Sequence, residues 1–413
     1  MGAEDFAVRA RELDRVDPLA PWRELLAPLP EGLVYLDGNS LGRPTTAALE
    51  RLAQVGHQWS TSLVEAWDDW IDLPFTVGDR LAVLLGAAAG QTVVGDSTSI
   101  QLFKVLHAIA HSLDRPTILV GSGEFPTDRY VAAGVAEAVD GRLTSMAAGT
   151  ELDGARFEKA LVASGANIVV LSMVDFRTGA RGDVAALTEV ARRRGAVIVW
   201  DLSHAAGVLP VTLDEWNVDA AVGCTYKYLH GGPGSPAFVY LRNERQREWR
   251  QPIWGWWGQR DQFAMGEQYD PDNRMRQFAV GTPPVTQLAL VDEGVAFVAS
   301  AGVVAIDRKR AALTDFAIEC VDALVPGAVV VTPRDPDRRG AHVSVEHPDA
   351  SRLVRAGRDR GVVADFRPPN RLRLGVAPLS TSYADVERAV ATYSELLGSG
   401  GMDAYPTDPG RVT

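Results

Sequence analysis

Between about Gly86 and Phe238, short runs of apolar and often β-branched residues alternate with stretches where apolar positions recur every three or four residues. Ile100, Phe103, Leu106, Ile109 and Leu113 have helical spacing and follow the turn-like Gly95-Asp96-Ser97. Thr117–Val120, Ile168–Leu171 and Val197–Trp200 read as strands, with a helix over Ala185–Arg194 between the last two. Ala220–Gly223 and Ala237–Tyr240 add two more. Strands that are apolar at every position need cover on both faces, so the pattern predicts a parallel sheet between helical layers.

After the turn-rich Gly281–Pro284, a long helical pattern runs through Val291–Ala301 to about Leu324. A smaller unit follows, with strands near Val329–Val331, His342–Val345 and Leu372–Leu374 and a helix over Ala350–Arg360. The expected fold class is α/β, a large domain plus a smaller C-terminal α/β domain. The expected division places residues 1–55 as an N-terminal segment joining the small domain, 56–289 as the large domain and 290–398 as the small one. The segment after about Leu397, GSGGMDAYPTDPGRVT, has little to bury, and residues 399–413 are expected to form a flexible tail.

Composition narrows the function. With 413 residues and 46% hydrophobic positions, the chain can build a large core. Its 41 Lys plus Arg against 53 Asp plus Glu give a net charge of −12, which argues against nucleic acid or an anionic membrane as a partner. Two cysteines, Cys224 and Cys320, imply no disulfide framework. The polar, amphipathic N-terminus lacks an apolar signal core, and no apolar run could span a bilayer, so a cytoplasmic protein is expected.

In a doubly wound sheet, ligands gather at the carboxyl ends of strands. Asp201 ends the strand Val197–Trp200, with His204 just beyond, and Tyr226 and Lys227 follow Ala220–Gly223. Asp96-Ser97-Thr98 opens a helix expected to begin near Ser99, where free backbone N–H groups and hydroxyls can cradle a phosphate. Phe125 follows the strand Thr117–Val120 and supplies a flat ring. A lysine for an imine, a carboxylate opposite a pyridinium, an anion cradle and a stacking ring are the parts that a pyridoxal phosphate site needs. Each alone has a plainer reading, as a solvated lysine, a turn cap or an ordinary N-cap. Their order on alternating strands is what points to a site.

These segments resemble kynureninase, a fold-type-I pyridoxal-phosphate-dependent family. The matching stretches run from Tyr35-Leu-Asp-Gly-Asn-Ser-Leu-Gly42 to Asn370-Arg-Leu-Arg-Leu-Gly375, nearly the whole chain. Between them lie Asp96-Ser-Thr-Ser99, Phe125-Pro-Thr-Asp128, Phe176-Arg-Thr-Gly179, Trp200-Asp-Leu-Ser-His204 and Tyr226-Lys-Tyr-Leu229. Gly231-Gly-Pro-Gly234, Gly255-Trp-Trp-Gly258 and Gly281-Thr-Pro-Pro284 complete the set. The resemblance implies a mostly parallel seven-stranded sheet in the large domain. It implies pyridoxal 5'-phosphate carried by Lys227, Asp201 at the ring nitrogen and Phe125 stacked on the ring. Ser97, Thr98, Tyr226, Asp128 and His204 would hold the phosphate and ring substituents. Trp256 and Thr282 would reach the phosphate from the neighbouring subunit of a homodimer, with active sites at the interface. Arg373 would grip the substrate α-carboxylate, with Asn39 and His57 also on the substrate side. The implied reaction is hydrolytic Cβ–Cγ cleavage of L-kynurenine or 3-hydroxykynurenine to an anthranilate and L-alanine, with Tyr226 assisting proton transfer.

The chain departs from the family pattern at Asp175 and Phe176, at His230, at Gln259 and at Ser380. A ring-modified kynurenine of secondary metabolism is therefore an alternative substrate. A cysteine desulfurase or selenocysteine lyase is an alternative activity, although neither Cys224 nor Cys320 has loop-like surroundings. A catalytically silent binding protein on the same scaffold is the alternative from a different class. His107 and His111 stand four apart on a helix without an evident third ligand and read as packing histidines, so no metal is expected. Cys224 reads as a buried structural thiol. Trp216, Trp254 and Trp257 read as core or interface, and Arg192–Arg194 as a solvated helix end.

Overall fold

The computed structural model describes residues 2–406. Seven strands form the large sheet: β1 (Thr92–Val94), β2 (Thr117–Gly121), β3 (Arg142–Met146), β4 (Ile168–Ser172), β5 (Val197–Asp201), β6 (Ala220–Gly223) and β7 (Phe238–Leu241). Their spatial order is β1-β7-β6-β5-β4-β2-β3, with parallel pairing from β6 through to β3. β7 runs antiparallel to both β6 and β1, so β1 again points the same way as β6. All carboxyl ends except that of β7 therefore open on one edge. β2, β6 and β7 are buried at every position, as runs without alternation require. β3 was not anticipated: as an edge strand it leaves Arg142, Leu143 and Ser145 exposed, and its polar sequence RLTSM carries no strand signal.

A four-stranded sheet further along the chain pairs Asp365–Arg367, Arg371–Gly375, His342–Glu346 and Val329–Val330, antiparallel throughout. Its core includes Phe316, Val343, Leu353, Leu374 and Tyr393, together with Phe6 and Ala10 of the first helix and Val34 and Leu36. Val34–Tyr35 also pairs with Val362–Val363.

The single long helix expected from Val291 to Leu324 is two helices, Val285–Ala301 and Val303–Leu324, bent by 79°. Gly302, at φ +78°, makes the break because a residue with a β-carbon is strained there. The first helix buries Leu288, Val291, Val295 and Val298 in the large core, so the boundary expected at 289/290 falls inside an element of that core. The change of core comes within the second helix, where Ile306 packs in the large core and Leu313, Phe316 and Val321 in the small one. The expected tail also differs in part. Helix Tyr383–Ser399 continues to Ser399, and Met402 is buried in the small core. The Tyr405 hydroxyl donates to Asp359 at 2.5 Å, and residues 407–413 lie outside the described part. No single described helix is long and apolar enough to cross a membrane, and the bent pair just described passes only when its two helices are joined.

Candidate active site

A cavity of about 220 Å³ lies at the shared edge of strand ends. It is lined by Ser97, Thr98, Phe125, Asp128, Asp201, His204, Tyr226 and Lys227, so eight sequence-selected residues converge there. Ser99, Thr127, Ser172, Val174, Phe176, Ser203, Gly234 and Ser235 complete the lining. Ser172 could have been found by the strand-end rule that found Asp201, because the two pair directly across β4 and β5. The other lining residues carried no sequence signal of their own, apart from the motifs around them.

The lysine loop is held from two sides. Gly42 donates its N–H to the Tyr226 carbonyl at 2.8 Å, and a β-carbon on Gly42 would lie 2.2 Å from the Lys227 carbonyl oxygen. His230 is buried, which pushes it down to about 4. It is thus neutral and can donate Nδ1–H to the Arg43 carbonyl at 2.8 Å. On the other side, Gly294 lets helix Val285–Ala301 close on this loop, where its β-carbon would meet the Leu229 carbonyl oxygen at 2.1 Å. Gly294→Ala is therefore expected to cost about 1–3 kcal/mol of stability through overpacking against backbone that cannot rotate away. An unchanged urea midpoint would show that the loop has more room than these contacts imply.

Lys227 Nζ lies 2.9 Å from His204 Nε2. Burial first, then the charge on Lys227 and neighbouring His342, push His204 well below its usual value. A neutral His204 accepts from the ammonium at Nε2 and so carries its proton on Nδ1. Burial raises Asp201, opposed by the Ser203 N–H at 2.6 Å and by Lys227. Burial also raises Asp128 strongly, with the charges of Asp201 and Glu124 adding to it. Tyr226 is raised by Cys224 and by burial, so it keeps its proton and is a donor. The Ser97 side chain caps helix Thr98–His111. Asp96 before it is pinned by fully buried Lys104, which bonds Asp96 at 2.8 Å and the Phe278 carbonyl at 2.5 Å. Phe125 meets the Phe176 ring edge to face at 5.1 Å.

Arg373 stands one residue behind the cavity wall. It is fully buried, donates to the Phe176 carbonyl at 2.5 Å and pairs with Asp365, which also takes Arg367 at 3.1 Å. Both terminal nitrogens are thus engaged, which the expectation of a free clamp did not foresee. Asn39 is buried against Gly375 with its side-chain amide unpartnered, and it does not line the cavity. His57 lies exposed on helix Thr46–Ser62, away from the cavity lining. Trp256 lines a separate, open hollow with Trp254 and Gln259 and donates to the Gln262 carbonyl, and Thr282 is exposed in the turn after it. These three residues sit on outward faces of this chain, so it does not bring them to the cavity.

The departures have local explanations. Asp175 caps its own turn, accepting from the N–H groups of Arg177 and Thr178 at 2.8 Å each. Ser380 is buried and bonds the Ala377 carbonyl at 3.3 Å. Gln259 accepts from Asp270 N–H at 2.8 Å, on the surface. Cys320 is buried within helix Val303–Leu324, whereas Cys224, expected to lack loop-like surroundings, opens the loop that carries Tyr226 and Lys227; it is buried, donates its N–H to Ser203 Oγ at 3.1 Å and does not line the cavity. His107 and His111 stack ring on ring at 5.9 Å along their helix.

The model of the kynureninase C-terminal domain family matches residues 306–393. The kynureninase of Burkholderia pseudomallei (strain 1106a) is 42% identical over 400 residues, covering 94% of both chains. That of Pseudomonas fluorescens is 41% identical over 395 residues, covering 93% of this chain and 94% of its own. Among solved structures, the cysteine desulfurase of Thermococcus onnurineus NA1 superposes with a TM-score of 0.80 at 19% identity, covering 92% of this chain and 98% of that one. A cysteine desulfurase of Escherichia coli gives 0.81 at 17%, covering 93% and 99%. These two share the fold-type-I architecture, while the sequence relationship is to the hydrolases: the chain belongs to the kynureninase family.

Proposed function

We propose that the protein hydrolyses the Cβ–Cγ bond of L-kynurenine or 3-hydroxykynurenine, releasing an anthranilate and L-alanine, with pyridoxal 5'-phosphate as cofactor. The observation that carries this is the meeting of Lys227, His204 and Asp201 in one cavity of a chain 42% identical to a kynureninase over its length. The donor set suits the cofactor. Asp128 Oδ2 and His204 Nδ1 are buried without partners, the hydroxyls of Ser97 and Thr98 stand at a helix start, and the Phe125 ring faces the same space.

When bound, pyridoxal phosphate supplies an electron sink for carbanions at the substrate's α- and β-carbons. Lys227 would hold the cofactor, and its free amine would take the substrate α-proton. Asp201, a buried carboxylate of the lining, would hold the ring nitrogen protonated, and a pyridinium would in turn favour its ionised form. Ser97, Thr98 and the first N–H groups of helix Thr98–His111 receive the phosphate. Tyr226 holds a proton that it can deliver. Arg373 meets the substrate carboxylate through the nitrogen that bonds the Phe176 carbonyl.

The protein is further proposed to act in the cytoplasm, which suits two free cysteines, and as a homodimer. A dimer would bring Trp256, Thr282 and His57, outward-facing here, to the partner's cavity. Sedimentation is expected to give twice the mass of one chain; a stable monomer with cofactor bound would count against it. The activity is tested by mixing purified holoenzyme with each of the two kynurenines and measuring anthranilates and alanine. Release of sulfide from cysteine with no attack on either kynurenine would overturn the assignment in favour of a desulfurase.

A further inference from the structure

Glu124 is a buried acid at the edge of the cavity to which the reaction above gives no part. It follows the end of β2 in a tight turn, its N–H donating to the Gly121 carbonyl at 3.1 Å. Its Oε2 accepts from both the N–H of Ser172, at 3.2 Å, and the Ser172 hydroxyl, at 2.5 Å. Ser172 lines the cavity and pairs with Asp201 across β4 and β5. Asp128, in the first turn of helix Pro126–Ala138, completes the group, with Oδ2 buried and unpartnered.

We propose that Glu124 is a positioning residue of the cofactor pocket, acting through Ser172 on the pair Asp128 and Asp201. Two donors from one residue on a single oxygen fix the Ser172 rotamer and the end of β4. The same hydroxyl hydrogen-bonds Asp128 in the sense that favours its ionised form, so the rotamer that Glu124 fixes is the one that meets Asp128. Charge completes the picture. Glu124 is flanked by Asp128, by Glu151 of the turn Thr150–Leu152 and by Asp175 of the loop after β4. Arg177, packed where a β-carbon on Gly123 would stand, is paired with Asp175. Lys227 is the cation that faces Asp128 and Asp201. One lysine cannot balance three carboxylates in a buried group, so the acid farthest from it stays neutral; burial pushes Glu124 up to about 8.

Because the folded-state value lies above the usual 4.5, the folded chain keeps a proton that the unfolded chain gives up. The contribution of Glu124 to stability therefore falls as pH rises from about 4.5 to about 8 and is level above that. Glu124→Gln preserves a neutral oxygen acceptor; Glu124→Ala removes it. The inference rests on reading the cavity as the cofactor site, so two measurements are paired. The dissociation constant of pyridoxal phosphate, followed by fluorescence, is expected to rise about tenfold in the wild type as pH passes about 8 and to stay flat in Glu124→Gln. Glu124→Ala is expected to bind about tenfold more weakly at every pH, with two donors left unmet. Urea unfolding of the apoprotein is expected to show Glu124→Gln gaining on the wild type across the same pH window. Wild-type protein that binds no pyridoxal phosphate would sink the cofactor reading alone, since the urea series still decides the state of Glu124. A pH-independent gap in urea, or a Glu124→Gln protein whose cofactor affinity titrates like the wild type, would overturn the inference.

Discussion

Lys227→Ala loses turnover by about a thousandfold or more, together with the visible absorption of bound cofactor. Lys227 is the one amine among the residues lining the cavity, and Lys104, the other lysine nearby, is committed to Asp96 and to the Phe278 carbonyl. A positioned proton-transfer group alone contributes about 10²–10⁴-fold, and the covalent anchor is lost as well. The loss extends to the surroundings. Lys227 lowers both Asp128 and Asp201 and helps keep His204 neutral. Without it, Asp201 becomes harder to ionise just where a charge is needed. Steady-state release of anthranilate, with an absorbance spectrum of the same sample, checks this. A variant that kept a tenth of the wild-type rate would remove Lys227 from the mechanism.

Arg373→Ala should raise the Michaelis constant by about a hundredfold while the cofactor stays bound. A lost charge-assisted pair to a carboxylate is worth about 2–5 kcal/mol, and Arg373 touches the cavity through the Phe176 carbonyl without lining it. The same change leaves Asp365 with Arg367 at 3.1 Å, so part of its compensation survives. Stability should still fall, because breaking a buried pair is costly. Arg373→Lys cannot reproduce a planar fork that serves Asp365 and Phe176 together, and is expected to recover only part of the affinity. Titration of rate against kynurenine separates the two parameters. An unchanged Michaelis constant would mean that the carboxylate is held elsewhere.

The central strands were legible in the sequence because they are buried on both faces, leaving Val197–Trp200 or Ala220–Gly223 no polar position to blur the pattern. The edge strand Arg142–Met146 was not legible, since solvent on one side lets it carry Arg, Thr and Ser. The break at Gly302 was hidden by apolar spacing that continues across it, and only the left-handed glycine marks the turn. In the site, Lys227 and Asp201 could be read because they directly follow or end such strands. Arg373 came from resemblance, and its ion pair with Asp365 depends on an antiparallel register that no local pattern states. Glu124 was passed over within the very segment that named Phe125 and Asp128, because burial, which gives it significance, has no signature in its neighbours. His57, Trp256 and Thr282 were named by resemblance, and a single chain leaves them facing outward.

Helix Val303–Leu324 has a consequence for how the molecule melts. It inserts Ile306 into one core and Phe316 into the other without interruption, and Arg310 between them bonds the carbonyls of Arg339 and Gly340. Unwinding either half of this helix removes the apolar face it gives to one core and shortens the segment that packs in the other. Heat that loosens one core therefore withdraws a wall from the other. The two sheets, distinct in architecture, are expected to melt in one transition, and the cavity at the strand ends of the larger one to be lost with it.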